Sequence, residues 1–341
     1  MLLSGNYVFT DYLLVILLLV VGLILIIKGG DFFVDGASWL AETSGIPKFI
    51  IGATIVSVAT TLPEIIVSLI SAKESADLAI GNAVGSVTFN TGLIMSLALI
   101  CAPFKFEKRK EYLFKGVLLT VTMAVLWLFC FNGTNLNNLS FASTGTLPLV
   151  GSIILLIFFI TFIVENVISA KENAEKEENE EKVKPSKKEV IINLSKLIGG
   201  AAGIAIGAIL LKDNSISLAS MLGVPEKIIG VTIVAVGTSL PELVTMIIAV
   251  KKGQSSLSIG NIIGANTIDL AIILPLSSFI VGGAGLNVQG QFLLIDMPVT
   301  LAVIAIGVIP SLIFKKFSRW QGITMAAIYL SYFVLNIILV L

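Results

Sequence analysis

Histidine is absent from all 341 residues, and cysteine occurs only at Cys101 and Cys130. The first absence removes imidazole acid–base chemistry, histidine-ligated metals and histidine-dependent triads. The second leaves neither a disulfide framework nor a cysteine metal motif. Charge is scarce as well: Asp, Glu, Lys and Arg together make up 13% of the chain, against about 25% in soluble domains.

What fills the chain instead is apolar. Hydrophobic residues reach 56% and the mean hydropathy is +1.01, so the chain reads as an all-α polytopic membrane protein. At roughly 20 apolar residues per span, ten helices are expected, at 11–40, 48–72, 79–102, 112–131, 146–165, 191–220, 226–250, 256–281, 291–313 and 320–341. The opening stretch is too long for a signal peptide and no small-residue cleavage site follows it, so it is counted as a span.

The formal net charge of +0 conceals an asymmetry of position. Lys105, Lys108, Arg109 and Lys110, the charged run 168–190, Lys251 and Lys252, and Lys315, Lys316 and Arg319 all fall on one side of the ten-span plan. The opposite loops at 131–145 and 281–290 carry no charge. The positive-inside rule then puts the charged loops in the cytoplasm and both termini outside a cell membrane. The run 168–190 alternates glutamates and lysines without aromatics and reads as a solvated cytoplasmic connector. It divides the chain into a first unit at 1–167 and a second at 191–341. Each holds five spans, and five is odd, so the second unit enters the membrane in the opposite orientation.

The two units share sequence. Residues 52–64 read GATIVSVATTLPE and residues 230–242 read GVTIVAVGTSLPE, nine of thirteen positions being identical. GNAVGSVTFN at 81–90 matches GNIIGANTID at 260–269, and Gly45-Ile46-Pro47 matches Gly223-Val224-Pro225. A duplicated sequence with odd span number becomes an inverted structural repeat.

Each central motif puts a carboxylate inside an apolar span, where a charge costs about 2.5–3.5 kcal/mol even on the lenient insertion scale. Neither Glu64 nor Glu242 has a lysine nearby in sequence to neutralise it. Pro63 and Pro241 lack the N–H and clash with the carbonyls of Ala59 and Gly237, so each helix is expected to kink or break there. Freed carbonyls near Ser57 and Ala235 would then become oxygen ligands, tolerated because they line a cavity. Thr60 and Glu64 share a face at i, i+4 with Thr61 alongside, and Thr238, Ser239 and Glu242 repeat the arrangement. In the partner motifs, Gly81/Gly85 and Gly260/Gly264 allow close helix approach. Ser86 and Asn90, and Ala265 and Asp269, lie one turn apart, so Asn90 and Asp269 are expected to close a ring around the two glutamates. Hard oxygen donors of this kind suit Ca²⁺ and related cations.

These two motif pairs resemble the α1 and α2 repeats of the cation/Ca²⁺ exchanger superfamily, in its Na⁺/Ca²⁺ exchanger branch of prokaryotic type. The resemblance implies an antiporter working by alternating access, with Ca²⁺ and Na⁺ as substrates and no separate cofactor. It implies metal ligation by Ser57, Thr60, Thr61, Glu64, Ser86, Asn90, Ala235, Thr238, Ser239, Glu242 and Asp269, with Ser57 and Ala235 contributing carbonyls. It also implies that the long first and sixth spans slide past a core that carries the motifs. Two positions depart from the family pattern. Ala59-Thr60-Thr61 replaces the usual Gly-Thr-Ser, which keeps the hydroxyls, whereas Ala265 stands where serine is common and removes one possible Na⁺ ligand. Proton/Ca²⁺ exchangers of the superfamily carry glutamate and histidine after the second-motif GNA, which the absence of histidine disfavours.

The alternatives are a K⁺-dependent or H⁺-coupled Ca²⁺ exchanger and, in a different class, a cation channel, which would pass Ca²⁺ without a counter-ion. An intramembrane enzyme using the paired carboxylates is disfavoured, because each acid is embedded among hydroxyls and proline. Partners are the two ions and the lipid bilayer, not nucleic acid, and the oligomeric state is left open. With two glutamates balancing one Ca²⁺, Asp269 is expected to serve as a neutral oxygen ligand; the competing reading has it ionised and holding an additional Na⁺ or K⁺. Lys28 and Asp31 are expected to form a local charge pair and Asp296 to be interfacial, with Trp39, Trp320 and Tyr332 in aromatic belts.

Overall fold

The structure, a computed structural model, describes residues 9–74, 76–105, 109–135, 139–177, 185–223, 235–283 and 285–340. Nine helices among the described residues are long and apolar enough to cross a membrane. They match nine of the ten expected spans; the remaining one, at 226–250, begins in 224–234, which lies outside the described residues. One small non-helical element was not anticipated. Strands β1 (Thr144–Leu147) and β2 (Leu286–Gln289) pair antiparallel, joining the two charge-free loops at one end of the bundle. Helix α7 (Leu149–Glu177) enters the connector 168–190 from one side and α8 (Lys187–Met221) from the other.

Helices α1 (Phe9–Ser44) and α8 are the longest elements, at 36 and 35 residues. α8 starts on a capping box in which Ser186 Oγ accepts from the Glu189 N–H and Glu189 Oε2 accepts from the Ser186 N–H, satisfying backbone donors that the first turn leaves open. Both helices end the same way: Gly45 after α1 and Gly223 after α8 take positive φ, 72° and 77°, the left-handed stop that glycine adopts without strain.

These two helices pack against each other along their length, backbone to backbone. A β-carbon on Gly29 would sit 2.8 Å from Ile204 N and 2.9 Å from Gly200 O, and one on Gly36 would sit 2.8 Å from Leu197 N. The glycines at 22, 29 and 36 thus let α1 and α8 approach backbone to backbone. Toward everything else the pair is peripheral: only 28% of the most apolar stretch of α1, and 22% of that of α8, is buried.

The centre is the continuous span Ser255–Val281, of whose most apolar stretch 94% is buried. It comprises α11 (Ser255–Ile268), a wide π-helical turn at Asp269–Ile273 and α12 (Leu274–Val281). Its glycines lie against the segment made of α2 (Lys48–Ile51), a second π-helical turn at Gly52–Val56 and α3 (Ser57–Glu74). A β-carbon on Gly264 would be 2.5 Å from both Ala53 O and Ser57 Oγ, so the close approach expected of this glycine pair is realised in the second partner motif.

Several charged residues outside the motifs have partners. Lys115, fully buried in α6 (Arg109–Cys130), pairs with Glu165 of α7 at 2.6 Å and lies 5.4 Å above the Phe49 ring. Asp31 pairs with Lys252 at 3.3 Å rather than with Lys28, and Asp35 joins the same lysine at 2.7 Å. Asp296 is buried within the protein, and the Tyr332 hydroxyl donates to its Oδ1 at 2.7 Å.

Candidate ion-binding site

Proline acts differently in the two central motifs. In the first, α3 continues through Pro63 as a helix; the irregularity sits upstream, where the π-helical turn Gly52–Val56 delivers the chain to Ser57. In the second, the chain breaks. α9 (Ala235–Gly237) is a single short turn, Thr238 and Ser239 are non-helical, and α10 (Leu240–Lys251) begins with Pro241 in its first turn, a position where the missing N–H costs nothing. The expected break is therefore present in one copy only.

The partner motifs show a feature that hydropathy does not encode. Both Asn90 and Asp269 open π-helical turns, at Asn90–Met95 and Asp269–Ile273, directly after α4 (Ala76–Phe89) and α11. A π turn widens the helix by one residue and is frequent at functional sites.

Together these elements gather the expected side chains in the interior. Ser57, Thr60, Thr61, Glu64, Ser86, Asn90, Thr238, Ser239, Glu242 and Asp269 are all buried. Contacts cross from one half of the chain to the other: Thr61 Oγ1 donates to Glu242 Oε1 at 3.3 Å, and Ser239 Oγ donates to Ser86 Oγ at 3.3 Å. The turn that Asn90 opens packs on α10, which carries Glu242, and the turn that Asp269 opens packs on α3 and α4. Of the expected ligands, Ala235 opens α9 directly after 224–234, outside the described residues.

The polar balance of this interior is unusual. Among the described residues, both carboxylate oxygens of Glu64, both of Asp269, and Oε2 of Glu242 are buried with no hydrogen-bond partner at bonding distance. No ion pair among the described residues includes any of the three acids, the one buried lysine being taken by Glu165. Buried carboxylates in that condition are costly unless paired or bound to metal. The described residues contain no group of three or more acidic, cysteine or histidine side chains at metal-holding spacing. A cation here would accordingly be held by hydroxyl, amide and carbonyl oxygens together with carboxylates, the mixed hard-donor shell that Ca²⁺ takes.

Four residues of this interior were not singled out from sequence. Asn261 Oδ1 accepts from Thr60 at 3.1 Å, Asn82 Oδ1 accepts from Thr238 at 3.4 Å, and Asn266 Nδ2 donates to Thr91 Oγ1 at 2.7 Å. A signal for the first two was available: both motifs contain Gly-Asn at the same place.

Comparison with known proteins agrees with this geometry. The family described as sodium/calcium exchanger protein matches residues 14–167 and 193–338. The sodium/calcium exchanger MaX1 of Methanosarcina acetivorans is 32% identical over 93% of this chain and 97% of its own. An uncharacterized membrane protein of Methanocaldococcus jannaschii is 33% identical over 91% of this chain and 93% of its own. Among solved structures, the sodium-calcium exchanger NCX_Mj soaked with Na⁺ and Sr²⁺ superposes with a TM-score of 0.77 at 28% identity, covering 93% of this chain and 97% of that one. By its motifs, its fold and these matches over nearly its whole length, the chain belongs to the sodium/calcium exchanger family.

Proposed function

We propose that this Na⁺/Ca²⁺ antiporter binds both of its substrates, in turn, in the buried interior described above. Glu64 and Glu242 balance the charge of one Ca²⁺; Thr60, Thr61, Ser86, Asn90, Thr238, Ser239 and Asp269 supply further oxygens, with backbone carbonyls from Ser57 and Ala235. The observation that carries this reading is the set of partnerless carboxylate oxygens on Glu64, Glu242 and Asp269 in a membrane-spanning interior. Buried carboxyl groups in that arrangement must be balanced by a cation or a proton, and in an exchanger the transported cation is the balancing charge for the glutamates.

Transport then follows from competition and charge. Na⁺ and Ca²⁺ share acidic oxygens, so one displaces the other, and the protein changes state only when the carboxylates are compensated. The units 1–167 and 191–341 act as inverted repeats around the site, joined through 168–190 in the cytoplasm, with both termini outside a cell membrane. The α1–α8 pair moves as a unit past the central span; its glycine-lined seam and slight burial elsewhere support this reading.

The test is Ca²⁺ uptake by protein reconstituted in vesicles, with Na⁺, K⁺ and pH gradients imposed one at a time. Uptake driven by an outward Na⁺ gradient, without need of K⁺ or a proton gradient, is expected. Uptake that proceeds with no counter-ion gradient would indicate a channel, and uptake driven by protons alone would remove Na⁺ as the coupling ion.

A further inference from the structure

Two uncharged residues stand behind the threonines of the site. Thr60 Oγ1 lies 3.1 Å from Asn261 Oδ1, and Thr238 Oγ1 lies 3.4 Å from Asn82 Oδ1. Asn82 and Asn261 occupy the same place in the repeated Gly-Asn segment, and Thr60 and Thr238 the same place in the central motif. The same contact is therefore made twice, each time from one half of the chain to the other. A contact that depends on four matched residues and recurs in both directions is a property of the design, not of one local packing accident.

The chemistry of the hydroxyl explains what the contact achieves. A threonine hydroxyl has one proton and two lone pairs, and a cation needs the lone pairs. The Thr60 proton has competing acceptors on its own helix, Val56 O at 3.1 Å and Ser57 O at 3.3 Å. Donation to Ser57 O would occupy the carbonyl that the proposed site needs for the ion. Donation to Asn261 Oδ1 leaves that carbonyl free. We infer that Asn261 and Asn82 are positioning residues of the transport site: their amide oxygens take the hydroxyl protons of Thr60 and Thr238 and so turn the threonine lone pairs toward the transported cation.

A second contact holds one of the two amides: Asn82 Nδ2 donates to Ser68 Oγ at 2.8 Å, which anchors Asn82 to the helix that carries Glu64. Ser68 lies four residues after Glu64; four after Glu242 stands Met246, which offers no hydroxyl. Asn261 Nδ2 is correspondingly buried without a partner, so the Asn261 amide is oriented by Thr60 alone.

The inference rests on Thr60 and Thr238 being ligands, and the experiment separates the two ideas. Ca²⁺ affinity of the full chain, purified in detergent, is measured by calorimetry for Thr60→Val, Asn261→Leu, Asn82→Leu and the doubles Thr60→Val/Asn261→Leu and Thr60→Val/Asn82→Leu. Loss of one hydrogen-bonded ligand predicts affinity weaker by about three- to tenfold in Thr60→Val. Asn261→Leu should lose a similar factor, and its double with Thr60→Val should be no more than about twofold worse than either single. The double with Asn82→Leu should multiply the two losses, because those residues serve different threonines. A merely structural role for Asn261 would multiply its loss with that of Thr60→Val, and that result overturns the inference, as does wild-type affinity in Asn261→Leu. Normal affinity in Thr60→Val overturns the ligand assignment itself and the inference with it. Should the leucine variant not purify as a monodisperse species, Asn261→Ala takes its place in the same cycle, with the same outcomes deciding for or against the positioning role.

Discussion

The two central motifs agree at nine of thirteen positions, yet they fold differently. Around Pro63 the first remains a helix from Ser57 to Glu74; around Pro241 the second breaks at Thr238 and Ser239. A proline in a helix interior costs about 3 kcal/mol and clashes with the carbonyl four residues back. That carbonyl belongs to Ala59 in one copy and Gly237 in the other. Glycine is worse than alanine in a helix by about 1 kcal/mol, and the stem of Lys212 lies where a β-carbon on Gly237 would go, 2.6 Å from Lys212 Cγ. The same local instruction is thus read in two ways, according to one methyl group and the neighbour that replaces it. Under the inverted-repeat arrangement proposed above, two copies held in different conformations at once would be what alternating access requires.

The largest effect should come from what the copies share. Glu64→Gln and Glu242→Gln each keep volume but delete a charge that a divalent cation needs in a low-dielectric interior. Each is expected to lower Na⁺-driven Ca²⁺ uptake in vesicles by at least about a hundredfold while the purified protein stays monodisperse. Near wild-type exchange in either variant would mean that the buried glutamates are not the ion ligands.

Next is the position where the partner motifs differ, Asn90 against Asp269. If Asp269 serves as a neutral oxygen ligand, Asp269→Asn should retain uptake within about tenfold of wild type, since shape and hydrogen bonding are kept and one good hydrogen bond is worth roughly that factor. Uptake as low as in Glu64→Gln, or the loss of a K⁺ dependence that the wild type shows, would favour the ionised aspartate.

What the sequence made legible, and what it hid, follows from the range of the forces involved. The spans and both motif pairs were readable because hydropathy, proline and an intramembrane carboxylate are local properties of the chain; Glu64 and Glu242 stand out for their cost alone. The unbroken α3 was not readable, because the break depends on packing around Ala59 and Gly237 that lies far away in sequence. Nor were the wide turns at Asn90 and Asp269, which are shifts in backbone hydrogen-bond register that leave hydropathy unchanged. The pairs Lys115–Glu165 and Asp296–Tyr332 escaped for the same reason: partners 50 and 36 positions apart are joined only by the fold.

A more direct test of the comparison exchanges the small residues. Gly237→Ala adds the methyl that Ala59 already has, and the atom it meets first belongs to a flexible lysine stem, so the chain should accommodate it. The added helix propensity, about 1 kcal/mol, should favour continuity through Pro241 and shift the apparent Na⁺ and Ca²⁺ affinities by up to about fivefold. Ala59→Gly should shift them in the opposite sense. Titrating uptake against both ions checks this; changes of the same sign in the two variants would mean that the methyl does not govern the break.

The smallest effect concerns the boundary between the peripheral pair and the core. Lys252, in the turn between α10 and α11, reaches Asp35 at 2.7 Å and Asp31 at 3.3 Å on α1. It ties the helix proposed to slide to the helix that carries Glu242. The lysine is 30% exposed and the aspartates 41% and 47%, so solvent screens the contact and each link contributes no more than about 1 kcal/mol. Sliding of α1 would break it in one state and leave it intact in the other. Lys252→Gln should therefore change the population of the two states, and the exchange rate, by at most about fivefold. Because the charges are exposed, the difference from wild type should shrink when ionic strength is raised with choline chloride, which screens without supplying Na⁺. Equal rates for wild type and Lys252→Gln at low ionic strength would show that this end of α1 is not held by charge, leaving its packing on α8 and on α10 to govern how the pair moves.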